Sequence, residues 1–411
     1  MRFAKLIAGV ALALSAPLAS AAPVLERQPH LRPPDPGSEE AGLWDATDKA
    51  ERAARASGEL DADPELNAYV KHVLCRVAQE YCDDLRLYVM DRPFFNATAA
   101  PNGYVEVWSG LLLRARNEAE LAFVLAHETT HFARNHSLAA ERHLKDQANG
   151  AMALGLILSA GMMAGGAYAG VSASTIANAN TSIINISYLG AVVSYFQFSR
   201  EQEAEADQGG FDRLVAAGYD PNAAASIWQH LIDEHGQSDF DAVRKGHAAG
   251  SIFNTHPLDG ERLSALAAAA KGKPAGDLGV ERYRAAIRPH LTAFLRNDLL
   301  RRDFGETLSL IDRLMADGGD AGVLGFYRGE CFRLRRGPED AGRAIKAYEA
   351  ATTAVDAPTE TWRELGDLYV RQHDATKARV AYHAYLDRAP DAQDRWLVES
   401  QLKKLDQSEG T

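Results

Sequence analysis

The sequence predicts an α+β chain: a mainly helical domain with a small β-sheet, built around one buried helix, and then an all-α repeat array. Two observations carry that prediction. Segments with apolar residues at helical spacing flank two short alternating segments that read as strands. From about residue 286 the pattern changes to a repeat with a 34-residue offset. The net charge of −12 over 411 residues excludes a nucleic-acid partner, because phosphate binding needs clustered Lys and Arg.

Taken in order, the chain opens with Arg2 and Lys5, a short apolar run from Leu6 to Leu14, and the small-residue signal Ala19-Ser20-Ala21. This is the pattern of a secretory signal peptide over residues 1–21, and the apolar run is too short to span a bilayer. An exported chain in an oxidising compartment is the consequence. Residues 22–45 are Pro-rich and read as an extended arm. Pro64 then starts a helix with Leu66, Tyr69, Val70, Val73 and Leu74 at helical spacing. Cys75 and Cys82 follow seven residues apart. In one continuous helix their Cα atoms would be about 10 Å apart, beyond bridging. If the helix ends near Gln79 or Glu80 a disulfide forms, which suits an exported protein. Cys331 reads as a buried small residue. "LRLYVM" and "PNGYVEVWSG" alternate as strands. The second of these, Tyr104 to Gly110, is either an edge strand able to pair with a peptide or an ordinary core strand.

Helical spacing returns from Glu118 to about His136, and within it His127-Glu128-Thr129-Thr130-His131 match H-E-x-x-H. Positions four apart share a helix face, so both imidazoles can grip one ion, and zinc suits neutral imidazole nitrogens. Glu128 lies beside that ion, where it can take a proton from water. The preceding "LAFVLA" means a buried helix, in which two histidines and a glutamate are costly unless paired or metal-bound. His136 is nine residues from His127, about 180° around a continuous helix, and so cannot ligate the same ion. The third ligand must come from elsewhere. Glu203 is the best candidate: Asp207, four residues on, shares its face and could accept the outer N–H of a ligand histidine. Glu201 and Glu205, on other faces, read as solvated.

Between Asp146 and Arg200 there is no charged residue and no histidine. Residues 150–195 read as a buried hairpin over the metal site, with peripheral membrane contact as the alternative. Their Gly and Ala content and lack of basic C-terminal flanks argue against a span. A helix from Ser199, a helix at "NAAASIWQHLIDEHG" and a loop with His256 leading into another helix complete the first domain, over residues 46–285. In the last part, Trp362, Leu365, Gly366, Tyr369, Ala378, Tyr382 and Pro390 fit the tetratricopeptide spacing. Ala344 and Tyr348 repeat Ala378 and Tyr382 34 residues earlier, and Cys331 aligns with buried Leu365. "QDRWLVESQLKKL" reads as a capping helix, which a solenoid over residues 286–411 needs.

H-E-x-x-H, then Ser199, Arg200, Glu203, Ala206 and Asp207 as S-R-x-x-E-x-x-A-D, then Thr255-His256-Pro257 resemble the gluzincin metallopeptidases of the HtpX and CAAX-prenyl-protease type. With a signal peptide and C-terminal repeats, the chain most resembles their soluble periplasmic, BepA-like branch. The resemblance implies a zincin peptidase domain with one catalytic Zn2+, held by His127, His131 and Glu203. It makes Glu128 the general base and Asp207 a partner of a ligand histidine. It places His256 near the zinc, either stabilising the oxyanion or filling a fourth zinc position, with Arg262 pinning its loop through a carboxylate. Unfolded or mis-assembled envelope proteins are the implied substrates, and the repeats would bind a protein partner. A latent peptidase acting mainly as a repeat-based chaperone or adaptor is the alternative.

Overall fold

The computed structural model describes residues 26–147, 198–245, 256 and 260–408. The expected signal peptide (1–21), the charge-free stretch 150–195, Thr255 and Pro257 lie outside the described residues. Among the described residues no helix is long and apolar enough to cross a membrane.

Helix α1 (Glu39–Ala56) leads to α2 (Pro64–Val77). Asp63 caps α2: its carboxylate accepts the Glu65 and Leu66 amides, and Pro64 occupies the first turn, where a missing N–H costs nothing. The helix stops at Val77 and a tight turn at Gln79–Tyr81 folds the chain back. That brings the Cα atoms of Cys75 and Cys82 to 4.8 Å, and the two are disulfide-bonded.

Three strands follow, β1 (Arg86–Met90), β2 (Ala97–Ala99) and β3 (Tyr104–Trp108), in the order β1-β3-β2. β3 runs parallel to β1, with Arg86 opposite Tyr104, and antiparallel to β2, with Ala99 opposite Val105. β3 is therefore the central strand and is buried along its length. This overturns the edge-strand expectation for Tyr104–Gly110: both sides of β3 already carry ladder bonds. Its alternation faces two cores. Tyr104 and Trp108 pack with Ala50 and Ala54 of α1, while Val105 and Val107 join the main core. Buried Glu106 lies between the two aromatics and accepts the Tyr104 hydroxyl (2.6 Å), the Trp108 indole N–H (2.7 Å) and Arg92 (2.8 Å).

The chain then turns through α3 (Ser109–Arg114) into α4 (Glu118–Ala133), capped by the Asn117 side chain. Every residue of α4 is buried. Helices α5 (His136–Gln147), α6 (Arg200–Ala216), α7 (Ala223–His235) and α8 (Gly260–Ala270) complete its surroundings. Ser199 and Gln202 form a reciprocal capping box that starts α6 at Arg200. α6 lies against α4 at backbone distance. A Cβ on Gly210 would sit 2.9 Å from the His127 amide nitrogen, so glycine is what permits the approach.

The C-terminal α-helices are α9 (Val280–Ile287), α10 (Leu291–Leu300), α11 (Phe304–Ala316), α12 (Ala321–Arg335), α13 (Asp340–Ala351), α14 (Glu360–Arg371), α15 (Ala375–Arg388) and α16 (Arg395–Ser408). α12 packs on α13 and α14 on α15. Cys331 and Leu365, Ala344 and Ala378, and Tyr348 and Tyr382 are all buried, as their 34-residue offsets require. One apolar core runs from Leu66 to Cys331 and crosses residue 286, where a domain division was expected. A second begins at Ala344 and runs to Leu402.

Candidate metal centre

α4 and α6 hold the site between them. His127 and His131 are one turn apart on α4, with Nε2 atoms 3.0 Å from each other. Glu203, on the first turn of α6, reaches across: its Oε2 is 3.6 Å from His127 Nε2 and its Oε1 is 3.5 Å from His131 Nε2. His256 arrives from the loop before α8. Its Nδ1 lies 2.9 Å from Glu203 Oε1 and 3.3 Å from His127 Nε2. All four side chains are buried, and one ligand atom of each falls within 4.8 Å of the rest.

The spacing fits a zinc ion. Ligands about 2.0–2.1 Å from a tetrahedral centre stand about 3.3 Å apart, and five separations among the nitrogens and carboxylate oxygens of His127, His131, Glu203 and His256 run from 2.9 to 3.6 Å. The charge states of His131 and Glu203 fit as well. Burial holds His131 well below its usual pKa, and the neighbouring imidazoles of His127 and His256 act the same way, so it presents a neutral ligand nitrogen. Burial opposes ionisation of Glu203, but His256, His127 and Arg262 outweigh it and keep the carboxylate charged. For His256, the pull of Glu203 and Glu128 exceeds the burial penalty and raises its pKa.

Glu128 stands beside the cluster. Its Oε1 has no hydrogen-bond partner among the described residues, and His256 Nε2 is 3.7 Å away. Burial raises its pKa, against the opposing pull of His256 and His127. A buried carboxyl oxygen left open beside converging metal ligands has the affinity for a proton that a general base needs.

The outer nitrogens of the two α4 histidines face unlike groups. His127 Nδ1 is 3.1 Å from Asp207 Oδ1. Arg262 clamps Asp207 through Nε (2.7 Å) and Nη2 (2.8 Å), and its Nη1 reaches Glu203 Oε2 at 2.8 Å. Arg262 thus fixes two carboxylates of α6. His131 Nδ1 is instead 2.9 Å from His136 Nδ1, and His136 Nε2 is 3.1 Å from Glu205 Oε2. Phe198 stacks on the His131 ring at 4.0 Å.

His136 is where sequence reasoning went astray. It stays outside the four-donor cluster, but the helical-wheel ground for setting it aside does not apply. α4 ends at Ala133, Asn135 takes a left-handed conformation (φ 53), and a new helix starts at His136. Asn tolerates that conformation better than most residues, and the bend swings His136 back over His131. Glu205, read as solvated, is exposed yet touches His136. "RNH" was the available signal. Phe198 had none, beyond an aromatic two residues before Arg200.

The model of Peptidase family M48 matches residues 61–270. The chain is 30% identical over 205 residues to the putative beta-barrel assembly-enhancing protease of Vibrio cholerae, covering 49% of this chain and 38% of that protein. It is 31% identical over 221 residues to the beta-barrel assembly-enhancing protease of Escherichia coli, covering 52% and 40%. To the mitochondrial metalloendopeptidase OMA1 of Schizosaccharomyces pombe it is 31% identical over 198 residues, covering 47% and 50%. The chain spans about two fifths of the length of the first two relatives and half of the third.

Proposed function

The chain belongs to Peptidase family M48, and from that premise we propose that it is an exported zinc-dependent endopeptidase acting on unfolded or mis-assembled envelope proteins. One observation carries the reading: four buried donors converge at zinc-ligand spacing, with the open Oε1 of Glu128 at their side. In this reading His127, His131 and Glu203 hold the metal and Asp207 orients His127. A zinc ion there supplies Lewis-acid polarisation of the scissile carbonyl. Glu128 takes the proton of the attacking water and returns it to the departing amine. His256 sits among the donors rather than beyond them, which supports a fourth-ligand role over an oxyanion role.

The relatives from Vibrio and Escherichia are named for enhancing beta-barrel assembly, which supports a role in the envelope. The signal-peptide pattern of residues 1–21 supports export to the periplasm. Helices α10–α16 serve as tetratricopeptide-like repeats that recruit substrate or a protein partner, supported by the shared burial of positions 34 residues apart.

Zinc content and casein cleavage of the parent, Glu128→Gln and His256→Ala test this together. Glu128→Gln is expected to keep one zinc and lose cleavage by about 10²–10⁴-fold. Cleavage at the parent rate by that variant would sink the assigned chemistry. A gain of activity in His256→Ala supports the fourth-ligand role, and a loss supports the oxyanion role.

A further inference from the structure

The two α4 histidines are held from behind by unlike groups. Behind His127 stands a buried carboxylate locked by Arg262. Behind His131 stands a second imidazole, whose far nitrogen meets a carboxylate that is 57% exposed. We propose that His136 and Glu205 are positioning residues of the metal centre, together fixing the tautomer and orientation of His131. This rests on the zinc site proposed above.

Proton bookkeeping carries the argument. If His131 Nε2 gives its lone pair to the metal, the neutral ring has its hydrogen on Nδ1, which must donate. The only described polar atom placed to receive it at hydrogen-bond distance is His136 Nδ1, at 2.9 Å. His136 Nδ1 must then accept, which leaves the His136 hydrogen on Nε2. That N–H points at Glu205 Oε2, 3.1 Å away. Every donor meets an acceptor in one direction only: His131 to His136, His136 to Glu205. A carboxylate at the end of this line makes the opposite polarity unfavourable, since it cannot donate. Phe198, stacked on the His131 ring, leaves the imidazole little room to turn. The arm ends at solvent, whereas the His127 arm ends in a buried ion pair.

The test compares zinc affinity, by competition with a chromogenic chelator, with the melting temperature of the metal-free chain. His136→Leu removes the acceptor. His136→Gln restores one, since its carbonyl can accept from His131 while its amide donates to Glu205. Zinc affinity should fall about 10–100-fold in the Leu variant and return to within about threefold of the parent in the Gln variant, with the Gln variant's metal-free melting temperature unchanged. Equal zinc affinity in the parent and the Leu variant, or equally weak affinity in both variants, overturns the proposal. Should the Leu variant not fold, the half-exposed end of the arm decides. Glu205→Ala should weaken zinc binding on the order of threefold and Glu205→Gln should not, and parent-like affinity in Glu205→Ala overturns the proposal. A parent chain that binds no zinc overturns both the arm and the metal site beneath it, so the two failures are distinguishable.

Discussion

At the candidate metal centre four buried donors, His127, His131, Glu203 and His256, converge on one point, and among the described residues one arginine, Arg262, touches the set. Beneath the C-terminal helices three buried carboxylates, Glu234, Asp298 and Glu306, face three arginines. Arg114 bonds Glu234 (2.6 Å) and Asp298 (2.7 Å), Arg301 bonds Asp298 (3.1 Å) and Glu306, and Arg313 lies 3.6 Å from Glu234. Both clusters bury charge. The second sets three carboxylates against three guanidinium groups, although Glu306 Oε1 and both Arg313 Nη atoms have no hydrogen-bond partner among the described residues. The first brings the Nε2 atoms of His127 and His131 to 3.0 Å and leaves Glu128 Oε1 open, an arrangement that a bound cation would complete. Buried polar groups are thus of two kinds, and counting the arginines around them separates the kinds.

The self-contained cluster should be the more costly to break. Arg114 joins α3 to α7 and α10. Arg114→Met takes the shared guanidinium from buried Glu234 and Asp298 and should cost about 3–5 kcal/mol. Urea titration with and without zinc reads this, and a loss below about 1 kcal/mol would remove the cluster's structural claim.

Glu306 sharpens the same contrast through pH. Burial exceeds the pull of Arg301 and Arg114 and pushes its carboxyl up to about 7, from an ordinary 4.5. Between those values the folded chain keeps a proton that the unfolded chain has released. Stability from this group is therefore complete below about pH 4.5 and is lost as pH rises through about 7. The ceiling is on the order of 3 kcal/mol. His235, 3.6 Å away and pushed down to about 4 by burial, works in the opposite sense. Glu306→Gln keeps His235, so the quantity to follow is parent minus variant. That difference should grow as pH falls from about 7 to 4.5, and a flat difference would contradict the assignment.

Metal removal separates the clusters directly. At free zinc 100 times its dissociation constant, chelation should lower stability by about 2.7 kcal/mol. Arg114→Met should lose its stability equally with and without chelator. A parent whose melting temperature ignores zinc would place both clusters in the self-contained class.

What the sequence made legible follows from how local each signal is. The i and i+4 rule alone puts His127 with His131 and Glu203 with Asp207. Asn135 broke that rule four residues after the motif, and so His136 was set aside. The rank of β3 in the sheet was invisible, because strand order is set by pairing across the chain and the alternation of Tyr104 to Trp108 is the same for a central strand. The Arg114–Asp298 pair spans 184 residues, and no spacing announces it. Arg262 was read as a loop pin through one carboxylate and holds two. In the repeats, by contrast, a 34-residue offset turns long-range packing into a local pattern, and burial at Cys331 and Tyr348 followed from Leu365 and Tyr382.

Glycine gives the gentlest way to break the comparison, since it allows close approach in both regions for different reasons. At Gly210 an added Cβ would stand 2.9 Å from the His127 nitrogen and 3.0 Å from its Cα. Those are backbone atoms of a fully buried helix, so α6 must move instead. Overpacking of this kind costs about 1–3 kcal/mol, and the displacement carries Glu203 and Asp207 away from the histidines they face. At Gly366 the added Cβ would stand 2.4 Å from the Tyr382 ring, a side chain of the repeat helices. Gly366→Ala should cost stability in the same range and leave zinc affinity untouched, because no metal donor lies in that core. Gly210→Ala should lose both stability and zinc affinity. Equal zinc affinity in the two variants would mean that the metal donors tolerate a shift of α6, and that the close approach of α4 and α6 serves packing alone.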